Sequence, residues 1–193
     1  MTLLLSSEVI ARAPKVLLHD HLDGGLRPQT MIDHALASGY TKLPSYDPAE
    51  LATWFVNACS SGTLELYLET FEHTISVMQT REEIERIARE CVLDLAADGV
   101  VYAEVRGAPE LFTRKGLTID QVIEATVEGH RQGMAEAKKN GQEIRVEVLL
   151  CALRQNNFSD EVATKVVKYK GKGVVGFDIA GPEAGFPPTD HIK

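Results

Sequence analysis

Four short aliphatic runs punctuate the chain, at residues 16–21, 100–106, 144–153 and 174–179. Each is rich in Val, Ile or Leu and is of strand length, as expected for strands covered on both faces. Between them the apolar spacing becomes helical. From Arg81 to Ala97 the side chains Ile84, Ile87, Ala88, Cys91 and Leu95 fall on one face, with acids and arginines opposite. Thr118-Ile119-Asp120 opens a second helix that runs to Gly141, and Ser159-Asp160-Glu161 opens a third that ends in a Lys-rich turn at Gly171. Gly99, Gly141 and Gly173 stand just before the second, third and fourth runs, where helix-to-strand loops often place glycine.

Strands alternating with helices predict parallel β/α units with right-handed crossovers. The first crossover, residues 24–99, is long and must hold several helices. Residues 44–50 read as a turn and helix start inside it, not as a domain linker. No internal repeat or low-complexity tract divides the chain, so residues 1–193 read as one domain. The polar residues collect at the C-terminal ends of the strands: His19, His21, Glu104, Arg106, Cys151, Arg154, Asp178 and Gly181. That rim carries ligands in a β/α barrel, and in an open α/β sheet as well. A barrel takes ~250 residues and eight strands. Four strands predict an α/β fold of the (β/α)8-barrel type with only the first four units present and a helical insertion after strand 1.

Composition removes several function classes. The 193 residues hold 20 Lys plus Arg against 28 Asp plus Glu, a net charge of −8, whereas nucleic-acid binding needs clustered positive charge. The Lys-dense stretch at 165–172 reads as the solvated end of a helix. Hydrophobic residues at 44% and charged residues at 25% describe an ordinary globular chain. The first fifteen residues lack a basic start, so no secretory signal is expected, and no apolar run approaches the ~18 residues of a membrane span. Cys59, Cys91 and Cys151 form no CxxC pair, which suits a reduced, cytoplasmic protein.

His19-Asp20-His21 is the sharpest chemical signal. Alternate strand residues share a face, so the two imidazoles stand ~6.6 Å apart along the strand. Rings leaning together from that spacing can share one metal ion at ~2.0–2.1 Å per nitrogen, although two satisfied strand-end histidines fit the same pattern. His73, four residues after Glu69, has helical metal spacing but more often such a pair is a surface ion pair. It reads with His34, His130 and His191 as structural or solvated. Glu104 and Arg106 face one side of the second strand and are expected to neutralise each other there. Asp178 can orient a ligand-bearing group or brace loops. Gly173-Val174-Val175-Gly176 lacks the GxGxxG spacing of a dinucleotide cradle. Gly181 permits close backbone approach to a ligand, and serves a tight turn equally well.

These residues resemble the adenosine deaminase family. The resemblance lies in Lys15-Val16-Leu17-Leu18-His19-Asp20-His21-Leu22-Asp23-Gly24, Val100-Val101-Tyr102-Ala103-Glu104-Val105-Arg106, Leu149-Leu150-Cys151-Ala152-Leu153-Arg154 and Val175-Gly176-Phe177-Asp178-Ile179-Ala180-Gly181. It covers essentially the whole chain, and 24–30 and 183–188 look like actinobacterial members. It implies a zinc-dependent β/α-barrel hydrolase of purine salvage, converting adenosine or 2′-deoxyadenosine to the inosine product and ammonia. His19 and His21 would be zinc ligands. Substrate would meet His21, the Asp23 carboxylate at the ribose 5′-hydroxyl, and the Gly181 amide at the purine N3. Helices within 51–79, with Trp54, Phe55, Leu64, Leu68 and Phe71, would form the apolar lid, or simply core. Gly107 and Pro182 depart from the family's usual residues.

The family's third zinc histidine, proton-donating glutamate, catalytic histidine and paired aspartates would all fall beyond Lys193, so no catalytic residue is expected among these 193 and the chain alone is expected to be inactive. Its partner is expected to be a small purine nucleoside, with no nucleic acid or membrane. The open barrel edges predict a homo-oligomer or aggregation. Two alternatives stand beside this reading. One is a sister deaminase of free adenine or another adenine-containing metabolite. The other is a non-catalytic half-barrel that binds metal weakly or self-associates.

Overall fold

The computed structural model describes residues 6–60 and 62–192, apart from the side chain of Glu65. A short helix, α1 (Ser7–Arg12), precedes strand β1 (Lys15–His21). The insertion then holds α2 (Pro28–Ser38), α3 (Pro48–Ala58), α4 (Leu64–Glu69) and α5 (Phe71–Ser76). Helix α6 (Arg81–Ala97) leads to β2 (Val100–Gly107), α7 (Ile119–Lys139) to β3 (Arg145–Leu153), and α8 (Ser159–Tyr169) to β4 (Val174–Ala180). The strands pair in parallel in the order β1-β2-β3-β4. The four expected strands and three crossover helices are therefore all present.

Local chemistry explains where the helices begin. Thr80 caps α6 and Thr118 caps α7, each in a reciprocal capping box with Glu83 or Gln121. Asp47 caps α3 by accepting from the amides of Ala49 and Glu50, so residues 44–50 do form a turn and helix start. Helix α1, not foreseen from the sequence, is six residues long and buries nothing; its local signals are the Ser6 cap and the Glu8–Arg12 pair. The Lys-rich end of α8 is not merely solvated, contrary to the sequence reading. Lys165 and Lys168 both reach Asp120 at 2.5 Å, and the Tyr169 hydroxyl donates to it at 2.8 Å, so the end of α8 is docked on the start of α7.

Burial is organised in layers. Of the α6 face foreseen from its spacing, Ile84, Ile87 and Ala88 are buried with Ala103 and Val105 of β2 and Val122 of α7. Cys91 and Leu95 are only partly buried against that cluster, while Val92, not foreseen, is fully buried in it. A second cluster joins Ile123 of α7 and Val162 of α8 to Val148, Leu150 and Ala152 of β3. Each fully buried aliphatic side chain of this kind contributes about 1.5–3 kcal/mol over its exposed state. The insertion has its own small core of Met31, Ile32, Ala35, Leu43, Leu51 and Val77. Polar bonds fasten it to α6: the Thr30 hydroxyl donates to Glu90 at 2.6 Å, and Arg86 donates to Glu90 and Asp33, both at 2.9 Å. On the edge strands, Val16 and Leu18 of β1 and Val175 and Phe177 of β4 stay 40% or more exposed.

Helices α6 and α7 meet closely because glycine sits at the contact. A Cβ at Gly133 would lie 2.6 Å from the Val92 Cβ, and one at Gly129 only 2.5 Å from the Glu85 carbonyl oxygen. Between these two positions His130 is fully buried, and neither ring nitrogen has a hydrogen-bond partner among the described residues. Burial alone pushes its pKa down to about 4, from an ordinary 6.5. A pKa lower in the folded than in the unfolded chain means that folding favours the neutral ring. That stability is present above pH 6.5 and is lost as the pH falls toward 4, by about 3 kcal/mol at 1.36 kcal/mol per unit. His130→Leu should keep or raise stability at pH 7 and flatten its fall between pH 6.5 and 4. Urea unfolding at pH 7 and pH 5 measures this, and an unchanged acid sensitivity in the variant would place the titration elsewhere.

Candidate functional site

The C-terminal ends of all four strands open into one cleft of about 560 Å³. His19, His21, Asp23, Arg106, Cys151, Asp178 and Gly181 line its polar floor, and Leu64, Leu68 and Phe71 of the insertion form an apolar wall. The sequence-predicted rim thus becomes one site, except for Glu104.

The two imidazoles reach the floor through an irregular strand. Between Leu17↔Ala103 and Asp20↔Val105 the β1–β2 pairing advances three residues on β1 against two on β2. Strict alternation therefore fails at this point, yet the rings come together, with centroids 5.3 Å apart and planes at 53°. His21 also meets the Phe71 ring at 6.2 Å. Burial lowers the His21 pKa to about 4, helped by the nearby Arg106 charge. Asp23 follows in a single 3₁₀ turn, 6% exposed, with its carboxylate 3.9 Å from His21 Nδ1. Its burial raises that carboxyl to about 6, the opposite direction to His21 from the same cause.

Arg106 is where the structure departs from the sequence reading. Its side chain is 5% exposed and does not pair with Glu104. It forms an ion pair with Asp178 of β4, donates to His19 Nε2 at 2.9 Å, and approaches Cys151 Sγ at 3.3 Å. Glu104 instead accepts from the Tyr102 hydroxyl at 2.9 Å and is absent from the cleft lining. Two residues of a strand can share a face yet differ by two residue rises, about 6.6 Å, in depth, and only the one nearer the C-terminal end reaches its neighbours' functional groups. Cys151 lies opposite Asp178 in the β3–β4 register, which brings that thiol and carboxylate to the arginine.

The other histidines do structural work. His34 Nδ1 meets the Val77 carbonyl at 3.1 Å, and His191 bonds to Ser159 and to the Arg154 carbonyl, both at 3.0 Å. His73 forms no ion pair with Glu69 among the described residues. It bonds to the Tyr40 hydroxyl at 2.9 Å and packs edge-on against Trp54 at 5.3 Å. Trp54 and Phe55 belong to that aromatic cluster and not to the cleft wall. Sequence reasoning passed over Gln155, which lines the cleft beside Gly181, because a lone glutamine in a loop carries no pattern.

As a metal site the floor is partial. Two imidazoles are the donor type that zinc prefers, but a catalytic zinc takes three protein ligands. Among the described residues no group of three or more His, Cys, Asp or Glu side chains converges on one point. Likewise, no described helix is long and apolar enough to cross a membrane.

The adenosine deaminase family model matches residues 14–193. The chain belongs to the adenosine deaminase family. It is 57% identical over 187 residues to adenosine deaminase 1 of Streptomyces coelicolor, covering 97% of this chain and 47% of that protein. It is 54% identical over 192 residues to the adenosine deaminase of Mycobacteroides abscessus, covering 100% and 53%. The chain therefore spans about half the length of the curated relatives it matches. Among solved structures it resembles arabidopsis ADAL complexed with GMP, with a TM-score of 0.74 at 25% identity over 92% of this chain and 52% of that one. An amidohydrolase from Burkholderia ambifaria with bound zinc gives a TM-score of 0.74 at 23% identity, over 98% and 50%. The fold is that of a (β/α)8 barrel, of which this chain supplies four β/α units.

Gly181 closes β4 with φ of +104°, a conformation in which side chains are strained, and a Cβ there would lie 2.5 Å from Gln155 Oε1. Gly181→Ala should lower stability by about 1–2 kcal/mol. Because the glutamine can swing away while the backbone cannot, adding Gln155→Ala should not restore it. Recovery in that double variant, by thermal unfolding, would show that the side-chain contact and not φ sets the limit.

Proposed function

We propose that this chain is the substrate-binding and metal-binding half of a zinc-dependent adenosine deaminase of purine salvage, acting on adenosine and 2′-deoxyadenosine in the cytoplasm. Residues 1–193 are then a single, incomplete domain, the N-terminal half of a barrel. The observation that carries this is the meeting of His19, His21 and Asp23 in one cleft of nucleoside size, in a chain 57% identical to a named adenosine deaminase. The half-length match and the exposed apolar residues of β1 and β4 support a partner for the open edges: the second half of the barrel or another copy of the chain.

In this reading His19 and His21 hold the zinc, which supplies an activated water for attack at the purine amino carbon. The chain's own residues bind and orient the nucleoside. Asp23, buried beside His21, takes a ribose hydroxyl, because a carboxylate with few protein partners gains a charge-assisted hydrogen bond there. Gly181, free of a side chain, offers its amide to the purine edge. Leu64, Leu68 and Phe71 cover the base and exclude water. No proton donor to the purine ring is assigned among these residues.

The ribose assignment separates adenosine from free adenine. In an enzyme carrying both halves of the barrel, Asp23→Ala should weaken adenosine turnover by about 1.5–3 kcal/mol in kcat/KM, the worth of one charged hydrogen bond. Adenine turnover, where measurable, should barely change. Equal losses on the two substrates would assign Asp23 to the metal or the fold and not to ribose.

A further inference from the structure

We infer that Gln155 reads the 2′-hydroxyl of the nucleoside and so sets how strongly the cleft prefers adenosine to 2′-deoxyadenosine. This rests on the adenosine reading of the site. Gln155 lines the cleft next to Gly181, and its Oε1 lies 2.5 Å from where a Cβ on that glycine would stand. A group that reaches the Gly181 amide therefore meets the glutamine carboxamide as well. That carboxamide has no hydrogen-bond partner among the described residues, so its two donors and its acceptor are open to the cleft.

The turn that carries it is pinned on both sides. On one side the Arg154 amide donates to the Ala180 carbonyl at 2.8 Å, and His191 Nε2 donates to the Arg154 carbonyl at 3.0 Å. On the other, the Asn156 side chain donates to Glu110 at 2.7 Å. The backbone is thus fixed while the Gln155 side chain stays uncommitted, as a recognition group requires. The strand order decides which part of the ligand it meets. With the ribose 5′-hydroxyl on Asp23 after β1 and the purine N3 on Gly181 after β4, the ligand spans the mouth of the sheet. Gln155 enters after β3, on the Asp23 side of Gly181. On that side of N3 lie N9 and the sugar, and the 2′-hydroxyl is the hydroxyl closest to the glycosidic carbon. The purine C2 lies on the other side, toward the open edge of β4. A carboxamide and a hydroxyl each hold both a donor and an acceptor, so they pair in either sense. A glutamine that merely filled space over Gly181 would not tell the two nucleosides apart.

The test titrates the chain with adenosine, 2′-deoxyadenosine and 3′-deoxyadenosine, following the cleft's backbone amides and the Gln155 side-chain amide by ¹⁵N–¹H correlation. Adenosine should shift the Gln155 side-chain signals and bind about 3–10-fold more tightly than 2′-deoxyadenosine, the worth of one neutral hydrogen bond. 3′-Deoxyadenosine should bind like adenosine. Gln155→Met, which keeps the length and loses the polar atoms, should bring adenosine down to the affinity of 2′-deoxyadenosine. Equal binding of the two by the wild type, with the Gly181 amide shifted by both, overturns the proposal and leaves the adenosine reading standing. So does a Gln155→Met variant that keeps the preference. A loss confined to 3′-deoxyadenosine moves the contact to the 3′-hydroxyl and overturns it as well. If no nucleoside shifts the Gly181 amide, the adenosine reading of the cleft fails and the glutamine's role falls with it. If the isolated chain does not stay in solution, the ratio is read as kcat/KM in an enzyme carrying both halves of the barrel. There Gln155→Met should lower adenosine against 2′-deoxyadenosine by about 3–10-fold, and an unchanged ratio overturns the proposal.

Discussion

One buried guanidinium touches every strand of this sheet. Arg106 rises from β2 and meets His19 of β1, Cys151 of β3 and Asp178 of β4. A cation at 5% exposure is tolerable only because a carboxylate neutralises it, since an unpaired buried charge costs several kcal/mol. That need fixes which ends of the strands lie level. Cys151 stands opposite Asp178 and His21 opposite Arg106 in the parallel register. A slip of one residue in β4 would carry Asp178 to the other face and strand the charge. The site's layout and the sheet's register are therefore one constraint.

The insertion supplies what the sheet cannot. Parallel strands end in polar groups facing outward from the rim, and a small-molecule ligand needs an apolar wall above them. Helices α4 and α5 provide it through Leu64, Leu68 and Phe71. Short helices such as these, six residues each, would be marginal alone. They are held from behind: Gln79 donates to the Ile75 and Leu111 carbonyls at 2.8 and 2.9 Å, and Arg114 grips Glu72 through two bonds. The wall depends on bonds that reach from the crossover loops, not on its own helical propensity.

Strand and crossover-helix positions were legible because they rest on local patterns: β-branched runs, 3.6-residue periodicity, and the helix openings at Thr118 and Ser159. The cleft's lining was legible at His19, His21, Asp23 and Gly181, because the sequence places them at strand ends and resembles a family there. What was not legible is lateral. Whether Arg106 turns to Glu104 on its own strand or to Asp178 two strands away depends on relative depth in a sheet, which the sequence of one strand does not contain. The same holds for His73, whose partner Tyr40 is 33 residues distant, while Glu69, four residues before it, forms no ion pair with it among the described residues. His130 is the extreme case. Its spacing from Ile123, Thr126 and Ala137 sets it on the buried stripe of α7, but no pattern in the sequence shows that both its nitrogens lack a partner among the described residues.

The electrostatics of the floor show why burial and charge have to be considered together. Desolvation drives His21 down to about 4 and Asp23 up to about 6, so each shifts toward its neutral form. For the histidine this is useful, since an unprotonated imidazole is the ligand-competent state at neutral pH, and the Arg106 charge pushes in the same direction. For the aspartate the two influences oppose, because the Arg106 charge favours its ionised form while burial resists it. A single buried cation therefore favours the ligand-competent form of one neighbour and the anionic form of another. That is the pairing a site needs when it must present both a free lone pair and a hydrogen-bonding carboxylate within 4 Å of each other.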